Sequence, residues 1–218
     1  RIDSPLAGGL GARRTSQHYV AESDRVLFDD TTTMVVERGV PAADLPGFEP
    51  AGPRRRIFFD PSKIRAGIVT CGGLCPGLND VVRGIVLQLT QLYGVRRIVG
   101  FRNGYRGFIP RYGDPTVELT PASVNGIDEL GGTVLGTSRG QQDVGEIVDC
   151  LERMDVNILF VVGGDGSMRG AIRIAQEVRA RGCRIAVVGI PKTIDNDIPF
   201  IDHSFGFRRG DHVVCGAP

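Results

Sequence analysis

The chain has 218 residues, a length typical of one large domain or of one domain with an appendage. Its 26 basic and 25 acidic residues give a net charge of +1, which removes the electrostatic argument for a general nucleic-acid or membrane-surface binder. With 41% hydrophobic residues and no apolar run near the roughly 20 residues of a membrane span, the composition indicates a soluble globular protein.

Glycine and cysteine are the informative residue types. The 31 glycines are more than a globular chain of this length usually carries, and they show no collagen-like period. The five cysteines are an odd number in a chain long enough to fold without disulfides. We therefore expect reduced thiols and a cytoplasmic location.

Residues 1–53 are predicted to form an irregular N-terminal arm. Their apolar runs at 25–28 and 33–36 are short and are interrupted by glycine and proline. The first residues lack both methionine and the apolar core of a secretory signal, so the start is interpreted as that of a fragment. The basic triplet 54–56 is interpreted as a solvated edge.

From residue 65 onward, short β-branched runs alternate with amphipathic stretches, a pattern typical of βαβ units. The predicted strands are Ala66–Thr70, Arg97–Phe101, Asn157–Val162 and Ile185–Ile190. The predicted helices are Asn79–Tyr93, Pro121–Leu130, Val144–Met154 and Arg169–Arg181. Gly182 follows the last helix at the position where a helix commonly ends in a left-handed glycine.

Strands that are apolar throughout and alternate with helices predict an α/β fold of the Rossmann-like kind. We expect a three-layer structure, a parallel sheet with helices on both faces. In such a sheet ligands bind outside the carboxyl ends of the strands. The segments assigned to those ends are 70–79, 136–140, 163–167 and 191–197, which together predict one polar site.

Gly72 and Gly73 follow a strand and precede a helix, where backbone N–H groups can approach an anion closely. This favours a phosphate site, and a simple tight turn is the alternative. The segment has neither the Gly-Lys-Ser/Thr ending of a P-loop nor the spaced glycines of a dinucleotide site. Cys71 and Cys75 lack a second pair or a histidine cluster, so they are interpreted as packing residues rather than metal ligands.

The segment 163–167 combines a glycine turn with a carboxylate. In a phosphate site the Asp165 side chain would hold Mg²⁺. The alternative is a structural cap on the following helix, a role that Ser167 also suits. Arg139 has the planar group that bridges phosphates well, although a single surface arginine carries little information.

Two acids lie two residues apart after the last predicted strand. In extended geometry Asp195 and Asp197 would point to the same side. One could accept a proton from an attacking hydroxyl while the other orients a donor or stays close to a metal. The alternative is a turn in which Asn and Asp side chains bond their own backbone.

These turns, in this order, resemble those of ATP-dependent 6-phosphofructokinases, in particular the branch found in plants and some bacteria. The resemblance covers about residues 53–207. The motifs that carry it are GIVTCGGLCPGLN at 67–79, YGVRR at 93–97, GYRGF at 104–108, GGTVLGTSRG at 131–140, GGDGS at 163–167 and PKTIDND at 191–197.

The resemblance implies transfer of the γ-phosphoryl group of ATP, with Mg²⁺, to the 1-hydroxyl of fructose 6-phosphate. It places Asp195 as the catalytic base, Thr193 at the transferring group and the sugar, and Asp197 as a supporting acid, with Ile194 between them in the sugar site. Asp165 would be the Mg²⁺-linked residue. The implied ATP site consists of Gly72, Gly73, Arg139, Gly140, Gly164, Asp165, Gly166 and Ser167, and Arg139 would also assist catalysis.

Two residues bear on the phosphoryl donor. In this family a glycine after Gly-Gly-Asp leaves room for a nucleotide, so Gly166 favours ATP. Lys192 is typical of pyrophosphate-using relatives, although the plant-like ATP branch also has it. The prediction is therefore ATP, with a pyrophosphate-dependent enzyme as the alternative.

The resemblance ends after residue 207. The predicted organisation is an arm at 1–53, an ATP-binding lobe at 54–207 and a divergent tail at 208–218, with the family's second, sugar-gripping lobe absent. A non-catalytic nucleotide-binding or regulatory half-subunit is therefore a further alternative. A lipid-type kinase is another enzymatic alternative because it shares the Gly-Gly-Asp-Gly turn, but it would not account for the residues of 193–197. The resemblance implies a homo-oligomer for the full-length protein, and the balanced charge and short apolar runs predict neither a nucleic-acid nor a membrane partner.

Overall fold

The apolar runs of the sequence form a central sheet. The structure, a computed structural model, describes residues 1–7, 19–28, 41, 44–198 and 204–206. In these ranges the β-strands are β1 Ile2–Asp3, β2 Val26–Leu27, β3 Gly47–Phe48, β4 Arg56–Ile57, β5 Arg65–Thr70, β6 Arg97–Phe101, β7 Val117–Glu118, β8 Ile158–Gly163 and β9 Ala186–Pro191. The α-helices are α1 Leu78–Leu87, α2 Val144–Arg153 and α3 Asp165–Ala180.

The chain divides into two units, residues 1–60 and residues 61–218. In the first unit β1 pairs antiparallel with β4, and β2 pairs antiparallel with β3. The rings of Phe28 and Phe48 pack beside the second pair, with centroids 4.4 Å apart. The apolar run predicted at 33–36 lies outside the described residues, as does the tail at 208–218. The division into arm, lobe and tail stays a prediction.

In the second unit five strands form one sheet in the order β7-β6-β5-β8-β9. The four long strands are parallel, and the short edge strand β7 pairs antiparallel with β6. The predicted α/β class is therefore confirmed. The antiparallel strand β7 was missed because a two-residue strand has no detectable period.

Helices cover both faces of this sheet. Neighbouring residues of a strand point to opposite faces, so Val161 and Val162 of β8 mark the two sides. Val161 belongs to a core cluster with side chains of α2 and α3, and Val162 to a second cluster with Leu78 at the start of α1. The Phe101 and Phe108 rings stack in the first cluster with centroids 4.0 Å apart.

Three predicted helices are confirmed with changed boundaries. The first is α-helical only to Leu87 and continues as a π-helical segment, Gln88–Leu92, in which the Thr90 hydroxyl donates to the Val86 carbonyl at 2.7 Å. The last begins at Asp165, earlier than the predicted Arg169. Gly182 has the expected positive φ of 68° after that helix.

The predicted helix Pro121–Leu130 is wrong. This segment is a series of turns that ends in a short 3₁₀ helix, Ile127–Glu129. The side chains of Thr120 and Ser123 each accept a hydrogen bond from the other residue's backbone N–H, at 3.1 and 2.8 Å, which favours turns over a helix. Gly126, with φ 76°, then adopts a backbone conformation that is incompatible with a continuous helix.

One arginine ties α2 to α3. The Arg181 guanidinium contacts Asp149, Glu152 and Glu177, with its shortest ion pair at 2.5 Å to Asp149. These carboxylates raise the pKa of Arg181 further above its already high ordinary value, so the group stays charged.

No helix in the described part of the chain combines the length and apolar character that crossing a membrane requires.

Gly100→Ala should destabilise the second unit by about 1–3 kcal/mol. A methyl group at Gly100 in β6 would lie 2.4 Å from the buried Leu135 side chain and 3.2 Å from that of Leu119. Urea unfolding measures this change. The matched control is Gly84→Ala in the exposed interior of α1, where no atom lies within 4 Å. Better helix propensity should stabilise that variant by up to about 1 kcal/mol. Equal unfolding midpoints for the two variants would contradict the close packing of Gly100 against Leu135 and Leu119.

Candidate functional site

The strand order places a crevice at the carboxyl ends of β5 and β8. From β5 the chain proceeds to one side of the sheet through β6, and from β8 it proceeds to the other side through β9. Ligands bind at such reversals in open α/β sheets. A cleft of about 480 Å³ lies there.

The cleft brings together most of the residues predicted from the sequence. All eight members of the predicted ATP site line it: Gly72, Gly73, Arg139, Gly140, Gly164, Asp165, Gly166 and Ser167. The predicted sugar-site residues are not among the lining residues: Thr193, Ile194, Asp195 and Asp197. They follow Lys192, which does line the cleft.

The segment 136–140 reaches the cleft by hydrogen bonds and not by following a strand. The Thr70 hydroxyl donates to the Gly136 carbonyl at 2.7 Å, and the Thr137 hydroxyl donates to the Gly72 carbonyl at 2.6 Å. In return the Gly72 N–H donates to the Ser138 carbonyl at 3.3 Å. The expectation that this segment follows a strand of the sheet is therefore wrong, since β7 ends at Glu118.

Helix α3 begins in the cleft without a side-chain cap. Gly164 is its N-cap residue, and in the described chain no side chain bonds the first-turn N–H groups. The alternative reading of Asp165 as a cap is wrong, because its carboxylate pairs with Arg169 at 2.8 Å and is largely exposed. An uncapped helix start presents free N–H groups and the positive end of the helix dipole, which suits an anion.

Glycine is required just before this helix. A methyl group at Gly163 would lie 2.4 Å from the Ser167 Oγ and 3.0 Å from the Cys71 carbonyl oxygen. Gly72, with φ 81°, adopts a backbone conformation that other residues rarely adopt. At Gly166, in contrast, an added methyl group would meet no atom within 4 Å. Gly166 lines the cleft, and the space beside it is open.

The electrostatic character of the cleft is cationic. Of the described residues that line it, one has a carboxylate, Asp165, and four carry positive side chains: Arg139, Arg169, Arg173 and Lys192. An excess of positive charge in a concave site attracts polyanions. Together with the free N–H groups of α3, this charge suits a ligand with several phosphate groups.

The cleft also contains an apolar region. Val144 and Ile147 of α2 and Ile174 of α3 contribute to its lining, and the last two are almost fully buried. The side chain of Asp143 accepts a hydrogen bond from the Glu146 N–H at 2.9 Å and so fixes the start of α2. One ligand could therefore place an apolar group near the two helices and its charged group at the glycine turns.

The cysteines near the cleft behave as packing residues, as predicted. Cys71 and Cys75 are buried and free. Burial raises the pKa of the Cys71 thiol to about 12. Burial also raises the pKa of Cys75, an effect that the Lys192 ammonium partly offsets. Among the described residues no group of three His, Cys, Asp or Glu side chains could hold a metal alone.

The segment that contains Asp195 is a hydrogen-bonded turn. Thr193 is central, because its hydroxyl donates to the Asp197 carboxylate at 2.6 Å and accepts from the Asp195 N–H at 3.1 Å. Asn196 has φ 52°, so the expectation of extended geometry is wrong here. The Ser204 hydroxyl donates to the Thr193 carbonyl, and its N–H donates to the Asn196 side chain.

Tyr105 and Lys192 are among the cleft residues that were not predicted as site residues. Tyr105 is buried, and its hydroxyl donates to the Ser167 carbonyl at 2.6 Å, which ties the segment after β6 to the first turn of α3. Burial raises the pKa of Tyr105, so this donor stays protonated. Lys192 is 8% exposed. From the sequence it was considered only as a residue that bears on the choice between ATP and pyrophosphate. The GYRGF motif was the available signal for Tyr105.

Comparison with known sequences identifies relatives over nearly the whole chain. The phosphofructokinase family profile matches residues 65–217. The chain is 58% identical to an ATP-dependent 6-phosphofructokinase of Amycolatopsis methanolica over 95% of its own length and 45% of the relative's. It is 47% identical to the enzyme of the same name from Borreliella burgdorferi, covering 94% of this chain and 45% of that one. The chain thus spans less than half the length of these relatives.

Solved structures share the fold. Pichia pastoris phosphofructokinase in the T-state superposes with a TM-score of 0.59 at 25% identity, over 69% of this chain and 16% of the other. A pyrophosphate-dependent phosphofructokinase from Marinobacter aquaeolei gives a TM-score of 0.58 at 22% identity, over 66% and 37%. The second likeness concerns the fold alone. From the profile match and the sequence identities, the chain belongs to the phosphofructokinase family.

Proposed function

We propose that this chain is the nucleotide-binding lobe of an ATP-dependent 6-phosphofructokinase. The reaction is transfer of the γ-phosphoryl group of ATP to the 1-hydroxyl of fructose 6-phosphate, with ADP as the leaving group. The observation that carries the proposal is that one cleft combines an uncapped helix start, four cationic side chains and an apolar region. These are the features that a nucleoside triphosphate needs.

The triphosphate would lie along the glycine turns. Gly73 after β5 and the first turn of α3 offer backbone N–H groups, while Gly72, whose N–H is bonded to Ser138, shapes the turn through its positive φ. Arg139 and Lys192 offer charge from two further segments. Lys192 is the most buried of the cleft's cations, and no ion pair in the described ranges neutralises it. A buried cation is stable when it has an anionic partner, which supports a phosphate group beside it.

ATP is favoured over pyrophosphate as the donor. Pyrophosphate has no apolar part, whereas the partly exposed Val144, packed against the core cluster that contains Ile147 and Ile174, gives the cleft an apolar patch suited to a base. The open space at Gly166 also leaves room for the nucleotide. The names of the similar enzymes agree with ATP. Lys192 remains compatible with either donor.

The residues present fit a magnesium ion that arrives with the nucleotide. Mg²⁺ is usually held by one or two carboxylates together with substrate phosphates and water. Asp165 supplies one exposed carboxylate beside the phosphate turns, and it would exchange its Arg169 partner for the metal. When bound, the ion neutralises the charge of the β- and γ-phosphates.

Asp195 is the proposed base that takes the proton of the sugar hydroxyl. The turn around it is fixed by the bond from its N–H to Thr193 and by the bond from Thr193 to Asp197. Thr193 would contact the transferring group, Ile194 would lie in the sugar site and Asp197 would orient Thr193. Phosphoryl transfer needs this positioning and charge neutralisation more than covalent catalysis.

A second candidate function is a nucleotide-binding subunit without turnover. The observation in its favour is that the residues of 193–197 do not line the cleft, while the predicted ATP-site residues do.

Under the main proposal the full-length protein is a cytoplasmic homo-oligomer whose substrates are ATP and fructose 6-phosphate, and it binds neither nucleic acid nor membranes.

Turnover separates these two functions. The 218-residue chain is offered fructose 6-phosphate and Mg²⁺ with ATP or pyrophosphate, and formation of fructose 1,6-bisphosphate is measured. We expect product with ATP, and Asp195→Ala should lower the rate by about 100-fold or more because the base is lost. Asp155→Asn, at the amino end of the strands and so at the end of the sheet opposite the cleft, should leave the rate unchanged. ATP binding without product would support the second candidate.

Asp165→Asn should weaken binding of ATP in the presence of Mg²⁺ by roughly 10-fold or more. The amide keeps the size of the side chain but removes the charge that would hold the metal. Isothermal titration calorimetry with and without Mg²⁺ measures the effect, which should vanish in EDTA. Asp155→Asn again serves as the control. An equal loss of affinity in EDTA would argue against a metal role for Asp165.

Gly166→Asp should weaken ATP binding by roughly 10-fold, because a second carboxylate would enter the space kept for phosphate groups. Gly166→Ala is the matched control, since a methyl group there meets no atom and should change the dissociation constant by less than about 3-fold. Nucleotide titration of both variants measures this. If both bind ATP like the parent chain, Gly166 does not face the phosphate groups.

A further inference from the structure

Two neighbouring amides at the start of α2 have different surroundings. Gln141 and Gln142 both line the cleft. The Gln141 Oε1 accepts a hydrogen bond from the Arg173 guanidinium at 3.1 Å. The Gln142 Oε1 is buried and has no hydrogen-bond partner in the described chain. One amide oxygen is therefore satisfied by the protein, and the other is not.

An unsatisfied buried acceptor is unfavourable, and such an acceptor in a native protein needs an explanation. Torsion about the last side-chain bond of glutamine has only a weak preference. The Gln142 amide can therefore turn toward the cleft without breaking a bond of its Oε1. A ligand with an N–H group at that point would satisfy the oxygen.

The neighbouring residues indicate which part of a ligand would meet Gln142. Val144 comes two residues later and forms the apolar region of the cleft with Ile147 and Ile174. The phosphate turns after β5 and at the start of α3 belong to other segments, whereas Arg139 lies three residues before Gln142. A planar heterocycle with an N–H donor on its edge suits an amide beside apolar side chains. Adenine has such an edge, because its 6-amino group donates and a ring nitrogen accepts, which matches a glutamine amide.

We infer that Gln142 recognises the base of the bound nucleotide, accepting a hydrogen bond from the 6-amino group of adenine. This inference rests on the proposed function, in which the cleft holds a nucleoside triphosphate. It adds a base-recognition residue that is separate from the phosphate turns. Gln142 is thus a specificity-determining residue and takes no part in the chemistry.

The test compares two nucleotides that differ only in the 6-amino group. Dissociation constants of ATP and purine riboside 5′-triphosphate, each with Mg²⁺, are measured by calorimetry on the 218-residue chain. We expect ATP to bind about 10-fold more tightly than the analogue, a typical factor for one lost hydrogen bond. In Gln142→Met the two should bind within about 2-fold of each other, and the affinity for the analogue should be unchanged.

Gln141→Met is the matched control and should keep the preference for ATP, because its amide oxygen is bonded to Arg173. Gln142→Leu is a second variant in case the methionine variant folds poorly, and circular dichroism checks both. An unchanged preference in a folded Gln142 variant would overturn the inference, as would equal binding of the two nucleotides by the parent chain. Binding of neither nucleotide by the parent chain would instead overturn the proposed function.

Discussion

The carboxyl end of β5 is the point on which the site depends. Residues 70–72 form hydrogen bonds both to β8 and to the segment 133–138. The Cys71 N–H donates to the Val162 carbonyl at 2.8 Å, and Thr70 and Gly72 bond Gly136, Thr137 and Ser138. Arg139 and the start of α2 follow directly. The strand end therefore sets the positions of two other segments of the cleft.

The regular elements of the second unit were predictable because burial on both sides of a parallel sheet leaves continuous apolar runs. Arg97–Phe101 was predicted with its observed boundaries. The errors lie where hydrogen bonds between distant or non-periodic residues decide the structure. The Thr120 and Ser123 turn replaced a predicted helix, and the Thr70 to Gly136 bond joins residues far apart in sequence. Hydrophobic periodicity contains no information on either.

The predicted phosphate turns after β5 and β8 lie in one cleft because the carboxyl ends of neighbouring parallel strands meet at the same end of the sheet. The sequence could not show that Asp165 already belongs to α3 or that the 193–197 segment is a turn, since both depend on local hydrogen bonds. Tyr105 was missed because its role comes from burial beside the cleft, and the role proposed for Gln142 depends on a buried side-chain oxygen without a partner in the described chain. The GYRGF motif marks Tyr105, but hydrophobic periodicity does not show that either side chain is buried.

The uncapped start of α3 links occupancy of the cleft to the stability of the fold. Free N–H groups at a helix start are satisfied by water or by a bound anion, so an anionic ligand adds its binding energy to the folded state alone. At a concentration 100 times the dissociation constant this amounts to about 2.7 kcal/mol. In a cell, the level of phosphorylated metabolites would thus determine how much of this lobe is protected from unfolding and proteolysis.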